Sequence, residues 1–144
     1  MRRLCEQFGP EIEWEGEALH GFPSARLLAG LTENDLVSIR SGYRGRYVIE
    51  AARAAVSEGY ERWGALPTDE LKQKLLAVTG VGEKVAECVL LFGYGRFEAF
   101  PVDVWIARTL SAHYGGRKPL NLGSLDGVAQ QYLFYYARAT RRIG

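Results

Sequence analysis

Apolar residues recur at helical spacing through most of the chain, so helices are the expected building blocks. Leu4, Cys5 and Phe8 share one face of an opening helix that Gly9 would end as a C-terminal cap. From Glu11 to Glu17, charged and apolar residues alternate around Ile12 and Trp14, which is the period of a short strand or an extended loop. Pro23-Ser24 starts a short helix through Leu28, and Thr32 with Asp35 forms a capping pattern before another. The turn Gly42-Tyr43-Arg44-Gly45-Arg46 feeds a helix to about Ser57, with Val48, Ala51, Ala52 and Ala55 as its apolar stripe and Gly59 as its stop. Pro67-Thr68-Asp69-Glu70 places an N-cap hydroxyl and two acids at the start of a helix running to about Val78. After Thr79-Gly80-Val81-Gly82, a second helix covers about Glu83 to Phe92, with Val85, Cys88, Val89 and Phe92 on one face and Gly93 beyond it. Two more are expected, from about Val104 to His113 and from about Leu125 to Arg141. The fold class is all-α: a bundle of short helices with a helix-hairpin-helix motif, and a short extended segment near the N-terminus.

Length and charge narrow this picture. A chain of 144 residues is the size of one domain, with room for a core and a small cleft. Its net charge of +1 excludes a polyelectrolyte tail, so any affinity for nucleic acid must come from local patches. Glu11, Glu13, Glu15 and Glu17 make one edge acidic, whereas Arg40, Arg44 and Arg46, then Arg138, Arg141 and Arg142, form basic clusters. Each cluster reads equally as a solvated face. Cys5 and Cys88 lie far apart, which excludes a multi-cysteine zinc site or a four-cysteine iron–sulfur site in this chain and suits a reduced intracellular protein. No stretch approaches the roughly 20 apolar residues of a membrane span, and the N-terminus carries no secretion signal.

The chemistry concentrates between Leu75 and Ala107. Gly80 and Gly82 let the backbone turn tightly and approach a ligand, and the free N–H groups that open the following helix form a phosphate site. Lys84 falls in the first turn of that helix, where the dipole repels an ammonium group; that field and any desolvation lower an amine's pKa and make it a better nucleophile. Two readings stand for Lys84, a solvated surface lysine and an activated amine. Asp103, after Pro101-Val102, is an N-cap residue, and a rigidly held carboxylate there can also stabilise a positive centre.

The string from Thr79 to Lys84, followed by Pro101-Val102-Asp103, resembles the helix-hairpin-helix DNA glycosylase superfamily, and more closely its 8-oxoguanine DNA glycosylase branch. RLCEQFG near the start, HGFPS from His20, GYRGRYV from Gly42 and GVAQQYLFYYAR from Gly127 are similar to segments of the same branch in the same order. The resemblance implies that Lys84 is the nucleophile and Asp103 its assistant. It also implies that Gln130 and Phe134, four residues apart on one helix face, line the pocket of the flipped base. Cys88 lies on the face of Lys84, near that pocket or as a small core thiol; Phe134 likewise has a core reading. Tyr43 and Arg44 resemble the intercalating and strand-contacting pair, while Gly80, Val81, Gly82 and Trp105 complete the implied DNA-binding set. Histidine is frequent at the position of Trp105 in eukaryotic members, so the aromatic implies a bacterial or archaeal-like member, acting in the cytoplasm or nucleoid.

Full members also carry an N-terminal domain, so residues 1–144 are expected to be a single catalytic domain without it. The implied function is base-excision repair: a bifunctional glycosylase and abasic-site lyase that removes 8-oxoguanine through a lysine Schiff base. The implied partner is damaged double-stranded DNA, bound by a monomer, with no membrane. No redox cofactor or catalytic metal is implied, only a monovalent cation at hairpin carbonyls. Two alternatives remain: a glycosylase for another lesion, and an incomplete or non-catalytic helix-hairpin-helix DNA-binding module.

Overall fold

The computed structural model describes residues 1–118 and 123–140, and within them holds eight α-helices and one β-hairpin. The expected helix end at Arg141, and Arg141 and Arg142 of the C-terminal basic cluster, lie outside the described residues. Backbone contacts divide the chain into two units, Met1–Trp63 with Val78–Gly80, and Gly64–Ala77 with Val81–Gly144.

In the first unit, α1 (Arg2–Phe8) leads to β1 (Glu11–Trp14) and β2 (Glu17–His20), antiparallel with Ile12 opposite Leu19 and Trp14 opposite Glu17. The sequence signalled one extended segment; the structure folds it into a ribbon by placing Glu15 and Gly16 in the left-handed region, at φ 50° and 82°. Every strand residue is exposed, so the alternation there sorts nothing into a core. Gly9 does end α1, but its backbone is extended rather than left-handed. Glycine is needed there for space, because a Cβ would run into the carbonyl oxygen of Gly21.

Ser24 caps α2 (Ala25–Ala29) by accepting the Leu27 N–H at 3.2 Å. Asp35 accepts both the N–H and the hydroxyl of Thr32 at 2.7 Å before the short 3-10 turn Asn34–Leu36. Those bonds, the backbone one first, hold its carboxyl below the ordinary aspartate value. The long α3 (Arg44–Glu58) stops at Gly59, φ 67°, and is followed by α4 (Tyr60–Trp63), which the apolar pattern does not announce although Trp63 is buried. Leu4, Leu28, Leu36, Ile49 and Ala52 form this unit's core, with Phe8, Leu31, Ile39 and Val48 packed against it. The stripe of α3 thus keeps Val48 and Ala52 of the expected set and adds Ile49.

The second unit contains α5 (Thr68–Leu76), α6 (Glu83–Cys88), a π-helical turn Val89–Gly93, α7 (Val104–Tyr114), a 3-10 turn Gly123–Leu125 and α8 (Asp126–Thr140). Leu71 and Leu75 from α5, Ala86, Leu90 and Leu91, Ile106 and Leu110 from α7 and Ala137 from α8 are buried. The face expected to be apolar, Val85 to Phe92, is therefore not the buried one: Val85 and Phe92 are exposed, and Ala86, Leu90 and Leu91 point inward. Gly127 opens α8 against the loop after the π turn, where its N–H donates to the Phe97 carbonyl at 2.6 Å. A Cβ at this position would strike the Ala99 carbonyl oxygen and lie 2.6 Å from the Leu91 side chain.

Thr68 is the first residue of α5, not its cap. Its hydroxyl donates to the Glu98 carboxylate at 2.6 Å, while Pro67 occupies the cap position. The Thr68 bond, with a smaller contribution from Arg96, holds the Glu98 carboxyl below the ordinary glutamate value. A lowered carboxyl stabilises the fold above its unfolded pKa, about 4.3 for glutamate, and loses that contribution as pH falls through the folded value. Thr68→Ala is accordingly expected to raise the Glu98 titration towards the ordinary value. NMR titration of its carboxyl carbon measures this, and an unmoved titration would contradict the role of the hydroxyl.

Candidate functional site

Two glycines shape the hairpin between α5 and α6, each for a different reason. Gly80 adopts φ 86°, and a Cβ there would lie 2.5 Å from the Tyr47 ring. Gly82 is extended, at φ −97° and ψ 178°, and a Cβ on it would meet nothing within 4 Å. No demand within the described residues makes residue 82 a glycine, whereas residue 80 has two. As N-cap of α6, Gly82 offers no side chain to the first-turn N–H groups.

Lys84 is the second residue of α6 and is exposed. Its neighbour Glu83 is drawn into an ion pair with Lys72 of α5 at 2.8 Å, and Lys72 also binds Glu87 at 2.8 Å. The hydrogen bond to Glu83, then that to Glu87, raises the Lys72 pKa above the ordinary lysine value against the opposing effect of burial. Among the described residues, no group of three or more His, Cys, Asp or Glu side chains could hold a metal ion.

One cleft of about 130 Å³ within the second unit is lined by Lys84, Cys88, Phe92, Pro101, Asp103, Gln130, Gln131 and Phe134. It brings together all five residues expected to carry catalysis and the base pocket. Cys88 is half-buried on its wall and Phe134 half-buried on the opposite helix, so neither is closed into a core. Asp103 caps α7 by accepting the Ile106 N–H through Oδ1 at 2.8 Å, which orients the carboxylate. Gln130 is only 3% exposed. Its Nε2 donates to the Pro101 carbonyl at 2.8 Å, and its Oε1 accepts from Gln131.

Phe92, Pro101 and Gln131 were missed as cleft residues. A signal existed for Phe92, since Lys84, Cys88 and Phe92 are spaced four apart and share a helix face. None marks Gln131, which neighbours Gln130 in sequence and reaches the cleft alongside it.

The remaining expected residues lie outside this cleft. In the first unit, Tyr43 is 66% exposed at the start of α3, with the Arg44 guanidinium 4.7 Å from its ring centroid and Tyr47 edge-on at 6.1 Å. Trp105 is half-buried on α7. The Arg138 guanidinium lies 5.9 Å from the Trp105 ring centroid and 5.8 Å from that of Phe134. No described helix is long and apolar enough to cross a membrane.

No protein-family model matches the sequence. The chain is 34% identical over 168 residues to the probable N-glycosylase/DNA lyase of Methanothermobacter thermautotrophicus, covering 96% of this chain and 53% of that protein. It is 34% identical over 125 residues to the N-glycosylase/DNA lyase of Saccharomyces cerevisiae, covering 77% of this chain and 33% of that protein. Among solved structures, the Clostridium acetobutylicum 8-oxoguanine glycosylase/lyase, in complex with double-stranded DNA containing cytosine opposite 8-oxoG, superposes with a TM-score of 0.88 at 31% identity. That match covers 97% of this chain and 52% of the other. The chain thus spans about half the length, or less, of the relatives it matches. Fold and cleft together define a helix-hairpin-helix protein of the DNA glycosylase class. The chain belongs to the 8-oxoguanine glycosylase branch of that superfamily and corresponds to the C-terminal portion of its members.

The Gln130 bond has a measurable consequence for the fold. Replacing Gln130 by alanine leaves a buried carbonyl on Pro101 without its donor, a loss of about 1–3 kcal/mol. Chemical unfolding of Gln130→Ala beside wild type measures it, and an unchanged midpoint would show that the Pro101 segment is held by other means.

Proposed function

We propose that this chain is the catalytic domain of a bifunctional DNA glycosylase and abasic-site lyase that removes an oxidised purine, 8-oxoguanine, from double-stranded DNA. The observation that carries the reading is the shared cleft, which Lys84 lines together with Asp103, the Phe134 ring and the Gln130 amide. Backbone phosphate would sit at the hairpin, where Gly82 leaves room that the fold itself does not use. The damaged nucleotide leaves the stack at a cost of a few kcal/mol, with the exposed Tyr43 and its partner Arg44 available to fill and hold the duplex. The extruded base then stacks on Phe134.

Deprotonated Lys84 attacks the anomeric carbon of the sugar. A carbon–nitrogen bond to lysine forms while the bond to the base breaks, and the base leaves with the electron pair. Ring opening gives the lysine imine, and loss of a proton from the neighbouring carbon expels the 3′ phosphate by β-elimination. Asp103 stabilises the positive charge that develops on the sugar, as a carboxylate already oriented by its bond to Ile106. The chain acts as a monomer on its DNA.

One observation favours a second reading of substrate choice. Both ends of the Gln130 amide are engaged, by Pro101 and Gln131, so Gln131 is placed to read the base and the preferred lesion can differ from 8-oxoguanine. A panel of duplexes carrying oxidised or alkylated bases separates the two.

Borohydride reduction of the imine provides the test. Wild type is expected to form a covalent adduct with lesion-containing and abasic duplexes, Lys84→Ala none, and Asp103→Asn to form it about 10² times more slowly. Absence of a wild-type adduct, together with salt-sensitive duplex binding, would identify a DNA-binding module instead.

A further inference from the structure

We propose that Glu87 is a positioning residue for this reaction, holding the segment that bears Asp103 against the helix that bears Lys84. The proposal rests on the functional reading above and concerns a residue outside the cleft wall. Glu87 lies on α6, three residues after Lys84, and Phe100 lies three residues before Asp103. The Phe100 N–H donates to Glu87 Oε2 at 2.8 Å, and Lys72 donates to Oε1 at 2.8 Å. One carboxylate thus joins α5, α6 and the approach to α7, all within the second unit.

The position of this bond matters more than its strength. Residue 101 is proline, with no N–H and a fixed φ, so the Phe100 N–H is the last backbone donor before Val102. On the far side of the ring, Gln130 holds the Pro101 carbonyl. The two bonds grip the Phe100-Pro101 pair from α6 and α8, and Asp103 follows two residues later. Glu87 is 19% exposed and Lys72 27%, which shields the pairing from the full screening of a surface ion pair. The ion pair with Lys72 aims the carboxylate, and a carboxylate acceptor gives the shorter, stronger bond to a backbone N–H.

A bond that only stabilised the fold would, when lost, lower the melting temperature and leave the chemical step alone. A bond that sets the distance between an amine and a carboxylate acts on the chemical step, where a displacement of about 1 Å costs on the order of 10²-fold. Three variants separate these roles in single-turnover trapping on an abasic duplex, with duplex affinity and melting temperature recorded in parallel. Glu87→Ala is expected to slow trapping by about 10- to 100-fold with duplex affinity within about twofold. Glu87→Gln keeps an acceptor for Phe100 and is expected to recover most of the rate. Glu87→Asp, one methylene too short to reach Phe100 and Lys72 together, serves if the alanine variant does not fold and is expected to fall between the two.

Wild-type rates in Glu87→Ala and Glu87→Asp, or a rate loss that follows lost affinity, would overturn the proposal while leaving the glycosylase reading intact. A glutamine variant as slow as the alanine variant would also overturn it. A wild type that forms no adduct overturns the glycosylase reading, and this proposal with it.

Discussion

The second unit is organised by one constraint: the irregular segment from Arg96 to Asp103 crosses between helices, and its polar groups have no ladder to join. Buried backbone groups must nonetheless be satisfied, and here side chains and neighbouring termini do it almost residue by residue. The Arg96 guanidinium donates to the carbonyls of Gly64 and Leu66. The Phe97 carbonyl takes the Gly127 N–H, the Ala99 N–H returns to Arg96, the Phe100 N–H goes to Glu87, and the Pro101 carbonyl receives Gln130. Asp103 then turns the segment into α7. Because each tie comes from a different element, the segment fixes where α5, α6 and α8 stand around it, and the cleft is the space left beside its last residues.

Much of this was legible in the sequence, and the parts that were not share a cause. Helix starts and stops could be read locally: Ser24, Gly59 and Asp103 act within a turn of their own position. The site candidates came from the resemblance, and local spacing adds that Lys84 and Cys88 share a face of one helix and Gln130 and Phe134 a face of another. What escaped depends on partners distant in sequence. Thr68 has the side chain of an N-cap but bonds Glu98, thirty residues on. Gly9 resembles a left-handed cap, yet its purpose is the close approach of Gly21. Gln130 lines the cleft and also holds the Pro101 carbonyl, twenty-nine residues away, a bond its own neighbourhood does not announce. Single-residue chemistry states what a side chain can bond; only the fold states which bond it makes.

The awkward placement of Lys84 also looks different once its neighbours are in view. A lysine in the first turn of a helix faces the positive end of the dipole, and the acid beside it would ordinarily compensate. Here Glu83 is engaged by Lys72, and the same ammonium group engages Glu87 one turn later. The two acids of α6 thus share one cation that is not Lys84. Such an arrangement costs helix stability at that end, and α6 is short, with six residues before its geometry changes. The helix is held by burial of Ala86, Leu90 and Leu91 and by the bridge to α5 rather than by its own terminus.

The apolar face expected of α6 is displaced from its first turn, where Ala86 rather than Val85 is buried, and the change of geometry at Val89 carries the displacement further. At ideal α-helical spacing, Val85, Cys88, Val89 and Phe92 form a stripe that ought to be buried. Leu90 follows the buried Ala86 at ordinary helical spacing, and in the π turn at Val89–Gly93 Leu91 is buried beside it while Phe92 is 65% exposed on the cleft. Exposing a phenylalanine forfeits about 1.5–3 kcal/mol of burial, and π turns are rare in helices that serve packing alone. Lys84, Cys88 and Phe92 therefore form a row that the core does not use, one amine, one thiol and one ring facing the same space. A flat aromatic ligand entering that space would restore to Phe92 the burial that the fold withholds from it.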